Sequence, residues 1–164
     1  IPIMWKTGHS YIKAKMREVN AMLGGEVSGH IFYKENNGFD DAVYAAYKLS
    51  CFLSSQDKTC SEIMAEIPKY VSTSTLNADC ADDIKYEITD KLTADFKKNY
   101  QVIDINGARV KFDEGWGLVR PSSNLPVLVM RFEAKTKEGL NKIMDIFKKT
   151  MSKYPEIGKE WYHG

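Results

Sequence analysis

The chain has 164 residues, 43% hydrophobic and 27% charged, enough for one full domain or for a small domain with part of another. Its 23 Lys and Arg against 22 Asp and Glu give a formal net charge of +1, with the two signs interspersed. That balance excludes a broad basic field for nucleic acid or an anionic membrane, yet leaves room for a local anion site built on one arginine.

Three cysteines, Cys51, Cys60 and Cys80, lack the paired spacing of a zinc site and read as buried or idle thiols in a reducing cytosol. No apolar run approaches the roughly 20 residues that span a bilayer, and no segment reads as a signal peptide. A cytoplasmic location follows as the expectation.

In chain order, Ile1 to Lys6 reads as a core strand and Thr7-Gly8-His9-Ser10 as a turn. A domain rarely opens on a bare core strand, so a longer parent is expected, with an unpaired sheet edge along Ile1 to Lys6 that favours self-association. Ser10 reads as the cap of a helix with Ile12, Met16 and Val19 on one face. Ala21 to Gly25 and Ile31-Phe32-Tyr33 read as short strands around a polar loop. Asp40 opens a second helix with Ala42, Ala45, Ala46, Leu49 and Leu53 at helical spacing, and Ser61 to Ile67 forms a third. Alternating strands and helices predict a partial α/β domain over residues 1–68.

Pro68 and the Ser/Thr-rich stretch after it predict a linker over 69–78 and a second domain over 79–164. There Ile84, Ile88, Leu92 and Phe96 line one helix face, and Leu140, Ile143, Met144, Phe147 and Met151 another. Asn106-Gly107 predicts a tight hairpin between Gln101–Ile105 and Ala108–Phe112. Trp116–Arg120 and Val127–Glu133 bring the count to four strands. The expected fold is α+β, a four-stranded antiparallel sheet with two helices on one face.

Two polar loops carry the chemistry. In Arg120-Pro121-Ser122-Ser123-Asn124-Leu125-Pro126 a guanidinium fork matches two phosphate oxygens, and two hydroxyls and an amide follow between prolines that limit loop freedom. The same residues also suit a merely solvated hairpin. In Gly25-Glu26-Val27-Ser28-Gly29-His30 the Glu26 carboxylate accepts from neighbouring sugar hydroxyls, and Ser28 faces the same way in an extended loop. His30 suits general acid or base work, or is an ordinary satisfied histidine, and His9 shares that ambiguity. Together the loops predict a phosphorylated sugar held at both ends, with Glu26 and Arg120 on one crevice.

Trp5-Lys6-Thr7-Gly8-His9-Ser10, the Glu26 loop, Gly38-Phe39-Asp40-Asp41, Gly115-Trp116-Gly117-Leu118-Val119-Arg120 and Val127-Leu128-Val129-Met130-Arg131-Phe132-Glu133-Ala134 resemble the C-terminal part of the bacterial phosphomannomutase/phosphoglucomutase family, in the α-D-phosphohexomutase superfamily. The resemblance covers nearly the whole chain and implies the third and fourth domains of a four-domain enzyme. Such enzymes move a phosphoryl group between the 1- and 6-oxygens of a hexose through a phosphoserine and a 1,6-bisphosphate. By that resemblance Glu26 and Ser28 contact ring hydroxyls, His30 is the acid/base with His9 assisting, and Arg120, Ser122, Ser123 and Asn124 hold the phosphate that is not transferred.

Asn124-Leu125 departs from the threonine of many relatives, and Val27 from the glutamine of the amino-sugar enzymes, which favours mannose or glucose phosphate. The family's phosphoserine loop and Asp-rich Mg²⁺ loop have no counterpart here. The resemblance therefore implies that Mg²⁺ and glucose 1,6-bisphosphate act in the parent, that no metal ligand lies in this chain, and that the chain alone is inactive. Its expected partners are a hexose phosphate and the parent's N-terminal domains, not nucleic acid or membrane. The alternatives are a non-catalytic phosphosugar-binding module, a nucleic-acid-binding sheet and a purely structural domain.

Overall fold

The computed structural model describes residues 1–164, which divide into two compact units, Ile1–Pro68 and Lys69–Gly164. In the first unit, helix α1 (His9–Val19) precedes a hairpin of β1 (Leu23–Gly25) and β2 (Ile31–Tyr33), paired antiparallel from Leu23↔Tyr33 to Gly25↔Ile31. Gly24 lets the helix approach that hairpin. A Cβ there would lie 2.7 Å from the Met16 sulfur and 2.9 Å from an Ile12 methyl. Phe32 and Met16 are the buried hydrophobic residues of this unit.

After a single 3₁₀ turn come α2 (Ala42–Ser54) and the short α3 (Cys60–Ala65). The Asp41 carboxylate caps α2 by accepting from the Tyr44 amide at 3.0 Å. Thr59 and Glu62 form a reciprocal capping box on α3.

Three expectations are corrected here. Ile1 to Lys6 is not a strand, because neither β1 nor β2 offers it hydrogen bonds; Trp5 lies instead under the Lys15 ammonium, 4.3 Å from its ring centroid. The predicted strand edge is therefore absent from that segment. Ser10 is not a cap, since α1 begins one residue earlier behind Gly8, whose φ of +121° suits glycine. Asp41 rather than Asp40 caps α2, because Asp40 is held by a bridge to Phe32. Cys51 and Cys60 are exposed on their helices; only Cys80 is buried, and burial pushes its thiol pKa up.

The second unit holds an antiparallel sheet of seven strands, not four. Its members are β3 (Val71–Ser72), β4 (Leu76–Asp79), β5 (Gln101–Ile103), β6 (Ala108–Phe112), β7 (Gly115–Pro121), β8 (Val127–Ala134) and β9 (Tyr162–His163). They lie in the order β5-β6-β7-β8-β4-β9, and β3 also pairs with β8. The four predicted strands are all present, and three more join them. The stretch 69–78, expected as a linker, supplies β3 and β4, because β8 is long enough to pair with both along one edge. Thr73 keeps the connection in register by donating its amide to the Phe132 carbonyl and accepting the Phe132 amide on its hydroxyl. The chain end then adds β9 beside β4.

Helices α4 (Lys85–Lys97) and α5 (Lys137–Met151) bury Ile88, Leu92, Phe96, Leu140, Ile143, Phe147 and Met151 against the inward residues of β6, β7 and β8. Phe147 is central, 4.5 Å from the Phe96 ring centroid and edge-on to Phe132 at 5.0 Å. Gly117 makes room for it, since a Cβ there would meet the Phe147 ring at 2.5 Å. The turn between β5 and β6 spans residues 104–107, longer than the two-residue hairpin expected from Asn106-Gly107.

Candidate functional site

The first polar loop is the turn of the β1–β2 hairpin. It is closed by the Glu26 amide donating to the His30 carbonyl at 2.9 Å and the Gly29 amide donating to the Glu26 carbonyl at 3.0 Å. The Glu26 carboxylate is already engaged. One oxygen accepts the Gly8 amide at 2.6 Å, and the other accepts the Ser28 hydroxyl at 3.2 Å. Gly8 is the residue before α1, so Glu26 sits where a helix N-terminus favours negative charge. That one bond joins the His9 turn to the Glu26–Ser28 loop. Each carboxylate oxygen accepts more than one hydrogen bond, so both keep capacity for a ligand hydroxyl.

His30 faces a different partner. Its Nδ1 lies 2.6 Å from the Asp40 carboxylate, and a carboxylate only accepts, so the proton belongs on Nδ1. The neutral ring then presents Nε2 as a base, and the protonated ring presents it as an acid. Asp40 thus orients the imidazole much as second residues orient ligating or catalytic histidines. By sequence Asp40 reads only as the opening of a helix, and its ten-residue separation from His30 gives no periodic signal of a shared site. His9 is the first residue of α1, exposed beside Gly8.

The second polar loop joins β7 to β8. Arg120 is the penultimate residue of β7, half-buried, and no carboxylate pairs with it. Its Nη1 donates only to the Pro121 carbonyl at 3.3 Å, and burial lowers its pKa without removing the charge. Ser122 is buried, and its hydroxyl oxygen accepts the amides of Asn124 at 3.3 Å and Leu125 at 3.1 Å. The Ser122 amide donates to the Val127 carbonyl at 3.0 Å. Ser122 therefore shapes the turn, while Ser123 and Asn124 are exposed on it. Arg120 is set against the β5–β6 turn, where a Cβ on Gly107 would fall 2.7 Å from the Arg120 Cα. No group of three or more His, Cys, Asp or Glu side chains converges in either unit.

Sequence models of two family domains match the chain. "Phosphoglucomutase/phosphomannomutase, alpha/beta/alpha domain III" spans residues 1–70, and "Phosphoglucomutase/phosphomannomutase, C-terminal domain" spans residues 76–150. The chain belongs to the phosphoglucomutase/phosphomannomutase family. It is 43% identical over 149 residues to a phosphomannomutase/phosphoglucomutase of Pseudomonas aeruginosa, covering 90% of this chain and 32% of that relative. A phosphoglucomutase of Neisseria meningitidis serogroup A is 40% identical over 159 residues, covering 94% of this chain and 34% of the relative. The crystal structure of a phosphoglucomutase/phosphomannomutase family protein from Burkholderia thailandensis superposes with a TM-score of 0.82 at 40% identity, over 93% of this chain and 32% of that one. The chain thus spans about a third of the length of the mutases it matches. No helix is long and apolar enough to cross a membrane.

Proposed function

We propose that this chain is the sugar- and phosphate-recognising part of a cytoplasmic phosphohexomutase, an isomerase that interconverts hexose 1-phosphate and hexose 6-phosphate of mannose or glucose through a phosphoserine and a 1,6-bisphosphate. One observation carries the reading. Arg120 is a half-buried guanidinium with no carboxylate, beside the exposed Ser123 and Asn124 of a loop bounded by prolines. A partly desolvated cation without a counter-charge is costly unless an anion completes it, and a phosphate dianion matches its fork.

In this reading Arg120, Ser123 and Asn124 hold the phosphate that stays on the sugar, with Ser122 keeping their turn in shape. Glu26 and Ser28 accept and donate to ring hydroxyls. His30 Nε2 takes the proton from a sugar hydroxyl as that oxygen attacks the phosphoryl donor, and returns it in the reverse direction, with Asp40 stabilising the imidazolium and His9 assisting. Phosphoryl transfer depends on positioning and on neutralising charge; in the whole enzyme Mg²⁺ held by residues outside this chain would supply that neutralisation, with glucose 1,6-bisphosphate as the activator. The 164 residues alone bind and do not turn over.

Isothermal titration with glucose 6-phosphate and mannose 6-phosphate tests the reading. Binding is expected, and Arg120→Ala is expected to weaken it by about tenfold or more, the cost of a charge-assisted bidentate contact. Unchanged affinity in Arg120→Ala removes the phosphate assignment. Turnover by this chain in a mutase assay removes the claim of inactivity.

A further inference from the structure

Lys85 stands directly behind the β7–β8 loop in a place where a lysine is doubly unfavourable. It is only 3% exposed, so its ammonium is taken out of water. It is also the first residue of α4, at the end of a helix that repels positive charge. Packing does not call for it, because Ile84 and Ile88 on either side already supply the apolar face. The ammonium has found specific partners instead. It donates to the Leu125 carbonyl at 2.9 Å and to the Asp82 carboxylate, and it lies 5.5 Å from the centroid of the Tyr86 ring.

We infer that Lys85 is a positioning residue of the anion site: it fastens the β7–β8 loop so that Ser123 and Asn124 are presented beside Arg120. The loop is fastened from within and from outside. Ser122 gathers the amides of Asn124 and Leu125 and donates its own amide to the Val127 carbonyl, and the Leu125 carbonyl accepts the Val127 amide at 2.8 Å. From outside, the Cys80 amide donates to the Pro126 carbonyl at 2.9 Å, and Lys85 donates to the Leu125 carbonyl. Among these only Lys85 reaches the loop with a side chain from another element. Pointing the Leu125 carbonyl inward turns its negative end away from an arriving phosphate. The inference rests on the reading that this loop binds phosphate.

The test uses the ¹⁵N-labelled 164-residue chain titrated with glucose 6-phosphate, together with amide hydrogen exchange in the ligand-free chain. In Lys85→Met, affinity is expected to fall about tenfold, as for loss of one hydrogen bond to a charged group, and exchange at Asn124 and Leu125 to accelerate. Exchange at Leu92 and Val119 in the core stays as in wild type. Lys85→Arg, which keeps a cationic donor, restores both readouts. If Lys85→Met does not fold, Lys85→Gln is measured in the same way. Wild-type affinity and loop exchange in Lys85→Met, with binding still lost in Arg120→Ala, overturns the inference and leaves the phosphate reading standing. Uniform acceleration across loop and core also overturns it, because that marks a merely structural lysine. If Arg120→Ala binds normally the phosphate reading falls, and loop exchange alone then decides whether Lys85 positions the turn.

Discussion

The Glu26 loop and the Arg120 loop are built on very different foundations. The Arg120 loop springs from two long, paired strands over a core in which Phe96, Phe132, Phe147 and Leu92 are almost fully buried. The Glu26 loop caps a hairpin of three residues a side, in a unit whose buried hydrophobic residues are Met16 and Phe32. In that unit Val43, Leu49 and Phe52 of α2 remain substantially exposed, and Leu49 and Phe52 line an apolar groove with Ile31, Tyr33 and Ala45. The two loops solve ordering differently. The Arg120 loop is fixed by the sheet beneath it, whereas the Glu26 loop is fixed chiefly by polar bonds made to Gly8, Ser28 and Asp40.

The largest effect expected from that contrast comes from Phe147→Ala. Its ring touches both helices' core and the Gly117 gap, so its loss is expected to destabilise the second unit by about 3–5 kcal/mol. Chemical denaturation followed by the Trp116 and Trp161 signals checks this, and the amides of α1 serve as the internal control. Equal loosening of α1 breaks the contrast.

A smaller effect concerns the exposed face of α2. The chain is expected to self-associate as its concentration rises, since so large an apolar surface favours burial. Leu49→Glu and Val43→Lys together are expected to keep it monomeric in light scattering. A wild-type chain that stays monomeric at high concentration removes this expectation.

The smallest effect is a pH dependence confined to the second unit. Hydrogen bonds from Lys98, then Lys153, with a further one from the Tyr154 hydroxyl, hold the Asp95 carboxyl pKa down at about 2, against an ordinary value of 3.8. Because the folded value is the lower one, the stabilisation is present above about pH 4 and is lost as pH falls towards 2. Asp95→Asn is expected to flatten that limb of an acid titration monitored at Trp161. An unchanged acid limb shows that the link between α4 and the end of α5 does not contribute.

Long periodic segments were legible from residue order alone. The stripes Ile84–Phe96 and Leu140–Met151 became α4 and α5, and the four strands between them paired as alternation implied. What escaped was structure that depends on a distant partner. Val71 to Ala78 has the composition of a linker and became strand only because β8 was there to receive it. Conversely, Ile1 to Lys6 has the composition of a strand and found no neighbour to make it one. The polar loops were visible as residue types, yet composition could not tell that Ser122 would shape the turn rather than face outward. Nor could it reveal that Asp40 would meet His30, or that Lys85 would reach Leu125 across forty positions.

Gly107 carries a consequence for how this surface can vary. It occupies a φ of +79°, and the space where a side chain would stand is filled by the backbone of Val119 and Arg120. A surface hairpin is ordinarily free to drift in sequence. At Gly107 that freedom is withdrawn, because a methyl group there displaces the strand end that aims the guanidinium. Tolerance to substitution in this turn is thus governed by a residue thirteen positions further along the chain.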